Sequence, residues 1–425
     1  MPTIQFEGKP FVQDHHLTVE RRALLPDQAR SLTDRVDVHD NLIIHGDSLK
    51  TIKALLPTYE GRVKCIHMDS PDNAGWRYND DVDCPMIQGW RGGIVRSDDP
   101  LRHDKWLCMM TPRLKLCREL LDERGLILVS VGENELANLL YLCDEIYGED
   151  NRLEVFVVQE SSPLRSRVGV ALAGRHKYLV SYTKDRSRFE PGRLDLTEER
   201  LQDFPEIDHE GKHYRFQLLR SRHSGEDRPG RRFPLFVDPH DRTVHLEEVA
   251  GRLQVLPAFP DGRPDWWVWD IDKIRQENNR LVAKLNPEGR WQIGFKDYAQ
   301  GRPIPSVWQG MEFEFDTGER EVEQSLGRRL TNIERTGNPP PMALFRRILA
   351  LVGDQNAIFL DNSMGLGAAG VAVLNANQSD GGNRKFILIE PSEERVRLIE
   401  TRIGAVIQHG QYGSFSYYEL GNPIP

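Results

Sequence analysis

The chain has 425 residues, 56 Lys+Arg against 65 Asp+Glu, a formal net charge of −9, and 39% hydrophobic and 28% charged residues. That length accommodates two or three packed domains. A mean hydropathy of −0.54, with no apolar run near the roughly 18 residues of a membrane span, excludes a transmembrane chain.

The opening segment, MPTIQFEGKPFVQDHH, has neither the basic nor the apolar region of a secretory signal, so a cytoplasmic location is expected. Residues 1–40 read as an N-terminal extension, and the first organised unit begins at Asn41. There NLIIHGD reads as a strand leading into SLKTIKALL, in which Leu49, Ile52, Leu55 and Leu56 recur at helical spacing and Ser48 is placed to cap the helix. The segment VKCIHMD reads as a second strand ending at Asp69, and SPDN as the turn after it. DKWLCMMTPRLKLCRELLDERG follows as a long amphipathic helix, GLILVSVGENE as a buried strand, ELANLLYLCDEIYG as a helix and HKYLVSYTKD as a strand. Such alternation predicts a parallel sheet covered by helices. The five cysteines, Cys65, Cys84, Cys108, Cys117 and Cys143, all lie in this first third. Their odd number and lack of metal spacing argue against both a disulfide framework and structural zinc.

From Arg186 the character changes. Proline, glycine, arginine and aromatic residues dominate, and short strand-like pieces such as HYRFQLL, FPLFVDP and GRWQIGF lie between turns, which predicts an inserted β-rich domain over 186–310. The α/β pattern then returns: helix NPPPMALFRRILALV, strand AIFLDN, turn SMGLG, helix AAGVAVLNAN and strand RKFILIE. Residues 41–185 and 311–425 are therefore expected to form the two halves of one α/β domain, since neither half alone supplies enough strands for a stable sheet.

In open α/β sheets, ligands sit beyond the carboxyl ends of the strands, and two exits stand out. In AIFLDNSMGLGAAG, Gly365 and Gly367 separate a strand from a helix, and Glu390 ends the next strand. This pattern suits close approach of a ligand with an acidic group for a ribose. It suits equally a tight turn with helix–sheet packing. In CIHMDSPDN, Asp69 with Pro71 and Asp72 is placed to face a substrate amino group, although an Asx turn uses the same residue types. No GxSxG, HExxH or P-loop sequence occurs, and His15, His16, His103, His176 and His223 suggest neither a triad nor a metal site.

The order of IHMDSPDNAGWRYND, LRHDKWLCMMTPRLKLCRELL, GLILVSVGENE, a middle domain, NPPPMALFRRIL, FLDNSMGLGAAGVAVL and GGNRKFILIEP resembles the modification subunits of type III restriction systems. Those are DNA adenine-N6 methyltransferases of the β order. The resemblance runs from about Asn41 to Leu420. It implies a Rossmann-like, S-adenosylmethionine-dependent methyltransferase fold with an inserted target-recognition domain. It further implies a catalytic motif at Asp69, Ser70, Pro71 and Asp72, and cofactor contacts around Asp47, Asp361, Ser363, Gly365, Gly367 and Glu390. Double-stranded DNA is the implied partner, together with a second copy of the chain, an active methyltransferase or a restriction subunit.

The departures fall where chemistry occurs. The family's Asp-Pro-Pro-Tyr reads Asp69-Ser70-Pro71-Asp72 here, and a carboxylate cannot stack on an extruded base, a contact worth roughly 1–3 kcal/mol. The family's Phe-x-Gly-x-Gly followed by Thr-Thr reads Ser363-Met364-Gly365-Leu366-Gly367-Ala368-Ala369, so an aromatic wall and two hydroxyls are replaced. Together these changes imply a degenerate subunit with weak or no methyl transfer; the alternative is a working methyltransferase that uses Asp69 in an unusual pocket. Within the insertion, Lys212, Arg215, Arg220, Arg222, Arg228, Arg231 and Arg232 face only Glu226 and Asp227 along the chain and are interleaved with Tyr214, Phe216 and Phe233. That pattern predicts DNA contact, against the alternative of a solvated charged face. Trp266, Trp267 and Trp269 read as core of the insertion.

Overall fold

The computed structural model describes residues 3–73, 75–78, 88–160, 176–220, 230–259, 262–331, 334, 339–362 and 365–424. The chain divides into two compact units, one comprising residues 1–193 and 303–425 and the other residues 194–302.

The larger unit is built on a ten-stranded sheet. In chain order its strands are β1 (Arg22–Pro26), β2 (Leu42–His45), β3 (Val63–Asp69), β4 (Leu121–Val131), β5 (Arg152–Gln159), β6 (His176–Thr183), β7 (Val307–Trp308), β8 (Ile358–Asn362), β9 (Lys385–Glu390) and β10 (Ser416–Pro423). Across the sheet they run β1-β10-β2-β9-β8-β3-β4-β6-β5-β7. Only β1 and β6 are antiparallel to their neighbours; the remaining contacts are parallel. This is the Rossmann-like methyltransferase architecture, and its switch point lies between β8 and β3, where the connections lead away in opposite directions.

Helices α1 (Ser48–Tyr59), α2 (Arg102–Leu120) and α3 (Leu136–Tyr147) cover one face. Helices α5 (Met342–Val352), α6 (Ala368–Asp380) and α7 (Glu393–Gly410) cover the other, with α4 (Phe315–Leu326) outside them. The period of two along each strand decides which side chains face which layer. Ile66 and Met68 of β3, Ile127 and Val129 of β4 and Leu360 of β8 join the first layer. Cys65, Leu126, Leu128 and Phe359 join the second. His67, Asp69, Ser130 and Asp361 continue that second set at the carboxyl end of the sheet.

Three expectations need adjustment. Residues 1–40 are no detached extension: β1 pairs with β10, and Val12 and Val19 are buried in the first layer. The inserted unit, 194–302, is narrower than 186–310, because Gly192 donates to the Leu351 carbonyl at 2.8 Å and β7 pairs with β5. The cap of α1 is Asp47, whose carboxylate accepts the Lys50 amide, and Ser48 is the first helical residue.

The inserted unit carries a four-stranded antiparallel sheet and a three-stranded one, closed over Leu219, Leu235, Val237, Trp267, Trp269 and Ile293. Trp266 is only half-buried. Four cysteines, Cys65, Cys108, Cys117 and Cys143, are buried and form no disulfide among the described residues, and Cys84 lies outside the described residues. Among the described residues no helix is long and apolar enough to cross a membrane.

Candidate functional site

The register of β8, β3 and β4 sets the site. Asp361 pairs with His67, and Asp69 with Ser130, so residues far apart in sequence end on one edge of the sheet. The Ser70 amide and hydroxyl both donate to the Ser130 carbonyl, at 3.1 and 2.7 Å. The indole of buried Trp106, on α2, donates to the Pro71 carbonyl at 3.0 Å. Asn73 adopts a left-handed conformation (φ 55°) and donates to the buried Glu135 carboxylate, which also meets His103 at 2.6 Å and Asn138 at 2.8 Å. The loop through Asp69-Ser70-Pro71-Asp72 is thus held from both sides.

This loop forms one wall of a cleft of about 320 Å³, whose opposite wall includes Glu160, Lys177, Phe313, Pro341 and Leu344. The Lys177 ammonium lies 3.6 Å from Asp72 and 3.7 Å from Glu160. Burial raises the Asp69 carboxyl above its ordinary range, opposed by the charge of Lys177. Burial likewise pushes Glu160 up to about 7. For Lys177 burial works downward, but Asp69, Glu160 and Asp72 together hold it above the usual lysine value. Three carboxylates thus share one fixed cation, where the resemblance implies one carboxylate and an aromatic ring.

Behind the cleft, the His67 ring bridges Asp361 (Nδ1 to Oδ1, 2.9 Å) and Ser130 (Nε2 to Oγ, 3.1 Å) and packs edge-on against Phe345 of α5. His67 and Asp361 are 1% and 2% exposed. The order Ser130, His67, Asp361 is that of a nucleophile, base and orienting acid. Ser130, however, lies within a strand rather than on an exposed turn, and the Ser70 amide beside it is spent on the Ser130 carbonyl. The arrangement locks the two central strand exits to each other.

At the second exit the implied cofactor residues divide. Ser363 lies outside the described residues. Gly365 and Gly367 flank Leu366, which has φ 46° and is buried against Val322, Leu330 and Leu398. Arg402 donates to the Leu366 carbonyl at 2.9 Å and is itself buried; burial brings its guanidinium down to about 10, so it stays charged at neutral pH. Ala368 and Ala369 are buried in the second layer. One Asp47 oxygen is used in capping, and one Asp361 oxygen in holding His67. Glu390, raised by burial, accepts the Ser392 amide through Oε1. Its Oε2 is buried with no hydrogen-bond partner among the described residues and lies 3.6 Å from Arg395. Among the described residues this oxygen is available to a ribose hydroxyl, and Asp47 and Asp361 each use only one carboxylate oxygen in the bonds above. Ser363 of the implied cofactor loop lies outside the described residues, so Asp47, Asp361, Gly365, Gly367 and Glu390 are the part of the implied S-adenosylmethionine cradle that the structure describes. Further along the sheet, His45, Glu393 and Glu419 converge, with Arg30 at 3.2 Å from both carboxylates as the local cation.

In the inserted unit the expected basic run is partly neutralised. Lys212 pairs with Glu210 at 2.6 Å, Arg215 with Asp297 at 2.8 Å, and Arg220 and Arg231 approach Asp265 and Asp270 at 4.0 Å. Arg232 is exposed, and Arg222 and Arg228 lie outside the described residues. Sequence reading does not single out His67, Ser130, Glu160 or Lys177. The signal for the first two is their period-two spacing from Cys65 and Leu128 on the face that also carries Asp69.

Comparison with known proteins bears on the same segments. Residues 63–401 match the family model described as DNA methylase. The Mod subunit of the type III restriction-modification enzyme EcoPI of Escherichia phage P1 is 26% identical over 388 residues, covering 83% of this chain and 58% of that one. The type II methyltransferase M.KpnI of Klebsiella pneumoniae is 25% identical over 371 residues, covering 86% of this chain and 83% of its own. The solved PvuII DNA methyltransferase (cytosine-N4-specific) aligns with a TM-score of 0.42 at 12% identity, covering 91% of this chain and 96% of that one.

Proposed function

The chain belongs to the DNA methylase family, and from that premise we propose that it is a modification-type subunit which binds double-stranded DNA but transfers methyl groups weakly or not at all. The observation that carries this reading is the Asp72–Lys177 pair. A neutral base entering the cleft must lie against a carboxylate and an ammonium already in contact, instead of an aromatic face. The second exit supports it: Leu366, Ala368 and Ala369 are committed to packing, and Asp47 and Asp361 to hydrogen bonds within the chain.

Such a subunit works through partners. The match to the EcoPI Mod subunit spans 58% of that relative's length, and we assign this chain a role in a homodimer, or in a heterodimer with an active methyltransferase or a restriction subunit, in the cytoplasm. Lys212, Arg215, Arg220, Arg231 and Arg232 are the candidate phosphate contacts, with Arg222 and Arg228 added from the sequence pattern. Each phosphate contact adds to the salt dependence of binding.

A second reading, an active adenine-N6 methyltransferase using Asp69, is favoured by two observations: Asp69 lines a cleft of about 320 Å³, and Glu390 Oε2 has no hydrogen-bond partner among the described residues. Titration of the purified protein with S-adenosylmethionine separates the two. Our reading predicts no binding heat up to millimolar cofactor, while duplex DNA binds. Micromolar cofactor affinity, about −8 kcal/mol, moves the balance to the enzyme.

A further inference from the structure

The inserted unit holds a cavity of about 550 Å³, lined, among the candidate phosphate contacts, by Arg220, a volume within the range of small-molecule sites. Its walls include Arg220, Phe259, Trp267, Arg290 and Trp291, with Glu288 at one side. Arg220 lies two residues beyond the strand His213–Leu218 and forms an isolated antiparallel bridge with Trp267. Its guanidinium lies 5.9 Å from the Phe259 ring centroid, and Arg263 stacks on the same ring at 5.4 Å. The Trp267 indole N–H is already donated to the Phe233 carbonyl, so that side chain offers the cavity an apolar surface.

The polar side of the cavity is left incomplete. A guanidinium carries five donors, yet among the described residues the carboxylate paired with Arg220 is Asp265, whose Oδ2 lies at 4.0 Å, beyond hydrogen-bond length. Asp265 is fully buried; its Oδ1 accepts the Trp266 amide at 2.8 Å, and its Oδ2 has no hydrogen-bond partner among the described residues. The buried carboxylate therefore fixes the charge of Arg220 from behind without consuming its donor fork. Aromatic walls next to an unspent guanidinium fork suit a flat, acceptor-rich, anionic ligand. Rings stack on the aromatic faces, and the fork meets either a phosphate or the paired acceptors of a guanine edge.

We infer that this cavity is a nucleotide-binding site in which Arg220 holds the phosphate or base edge and the Phe259 side holds the ring. The nucleotide comes either from an unstacked position in DNA or from the free pool. The inference deepens the DNA-contacting reading of the inserted unit in the first case and stands apart from it in the second.

The test uses the full-length protein and four probes: deoxyguanosine monophosphate, inorganic phosphate, an intact duplex, and the same duplex with one bulged guanosine. Arg220→Lys keeps the charge beside Asp265 but removes the fork, and Phe259→Ala removes the ring; circular dichroism checks that both fold. The expected result is a tenfold or greater loss of affinity in both variants for the mononucleotide or for the bulged duplex, with the intact-duplex affinity of Phe259→Ala changed less than twofold. Loss for the mononucleotide assigns the free pool as source, and loss for the bulged duplex alone assigns DNA. Wild-type protein that binds neither, or variants within twofold of wild type on both, overturn the site; a phosphate response alone, without either nucleotide response, also overturns it. Lys212→Glu with Arg215→Glu tests general DNA contact separately, because neither residue lines the cavity and loss of intact-duplex binding there reports on the wider reading alone.

Discussion

At the carboxyl end of β3 ionisable side chains border a cleft, whereas at the carboxyl end of β8, the adjacent strand, Leu366, Ala368 and Ala369 are buried and engaged in packing. Asp69, Asp72 and Glu160 surround one lysine at the first. Leu366, Ala368 and Ala369 join hydrophobic clusters at the second. Both exits lie at the switch point, where a doubly wound sheet presents its ligand site. The difference shows that one sheet can carry two kinds of strand exit side by side: at one, ion-paired side chains line a cleft, and at the other, Leu366, Ala368 and Ala369 pack into hydrophobic clusters.

The comparison can be broken by substitution. The largest effect is expected at Trp106, which is fully buried and donates to the Pro71 carbonyl. Trp106→Ala should cost about 3–5 kcal/mol in chemical denaturation, because it both opens a cavity and releases the charged loop. Next is Leu366→Ala. If the second exit is core, the loss is about 2–4 kcal/mol; a loss under ~0.5 kcal/mol would mean the loop is not packed as core.

The third effect depends on pH. Burial raises the folded pKa of Glu160 to about 7, so between its ordinary value and 7 the folded state binds more protons than the unfolded state, and stability falls as pH rises through that window. Glu160→Gln should remove this slope, stabilising the protein by on the order of 2 kcal/mol at pH 8 and far less at pH 5, as read from urea midpoints. Lys177→Met sharpens the same point with opposite sign, since it leaves the three carboxylates without their cation and destabilises most at high pH. The smallest effect is Asp47→Ala, about 1 kcal/mol for a lost helix cap, measured by thermal denaturation.

Much of the scaffold is legible in the chain. Leu49, Ile52 and Leu55 recur at helical spacing and are buried on α1, and the apolar runs ending at Asp69 and Glu390 are strands. β5 is harder to read, because RLEVFVVQ mixes charged and apolar residues and its burial is uneven. The cap of α1 differs by one residue because Asp47 and Ser48 both have capping chemistry, and backbone geometry decides between them. The site is legible only in part. Asp69 and Asp361 are marked by their place at strand ends, but His67 meets Asp361 across 294 positions and Ser130 across 63, which only strand register brings together. Lys177 follows a segment outside the described residues, and nothing in its neighbours along the chain announces that it faces Asp72.

The most direct test of the central claim is incorporation of labelled methyl groups from S-adenosylmethionine into a pool of random-sequence duplex DNA, with Asp69→Ala as the reference. The account predicts that wild-type protein incorporates label at, or only slightly above, the Asp69→Ala level. A strong wild-type signal, many methyl groups per protein, that disappears in Asp69→Ala would contradict it and make the chain a working methyltransferase.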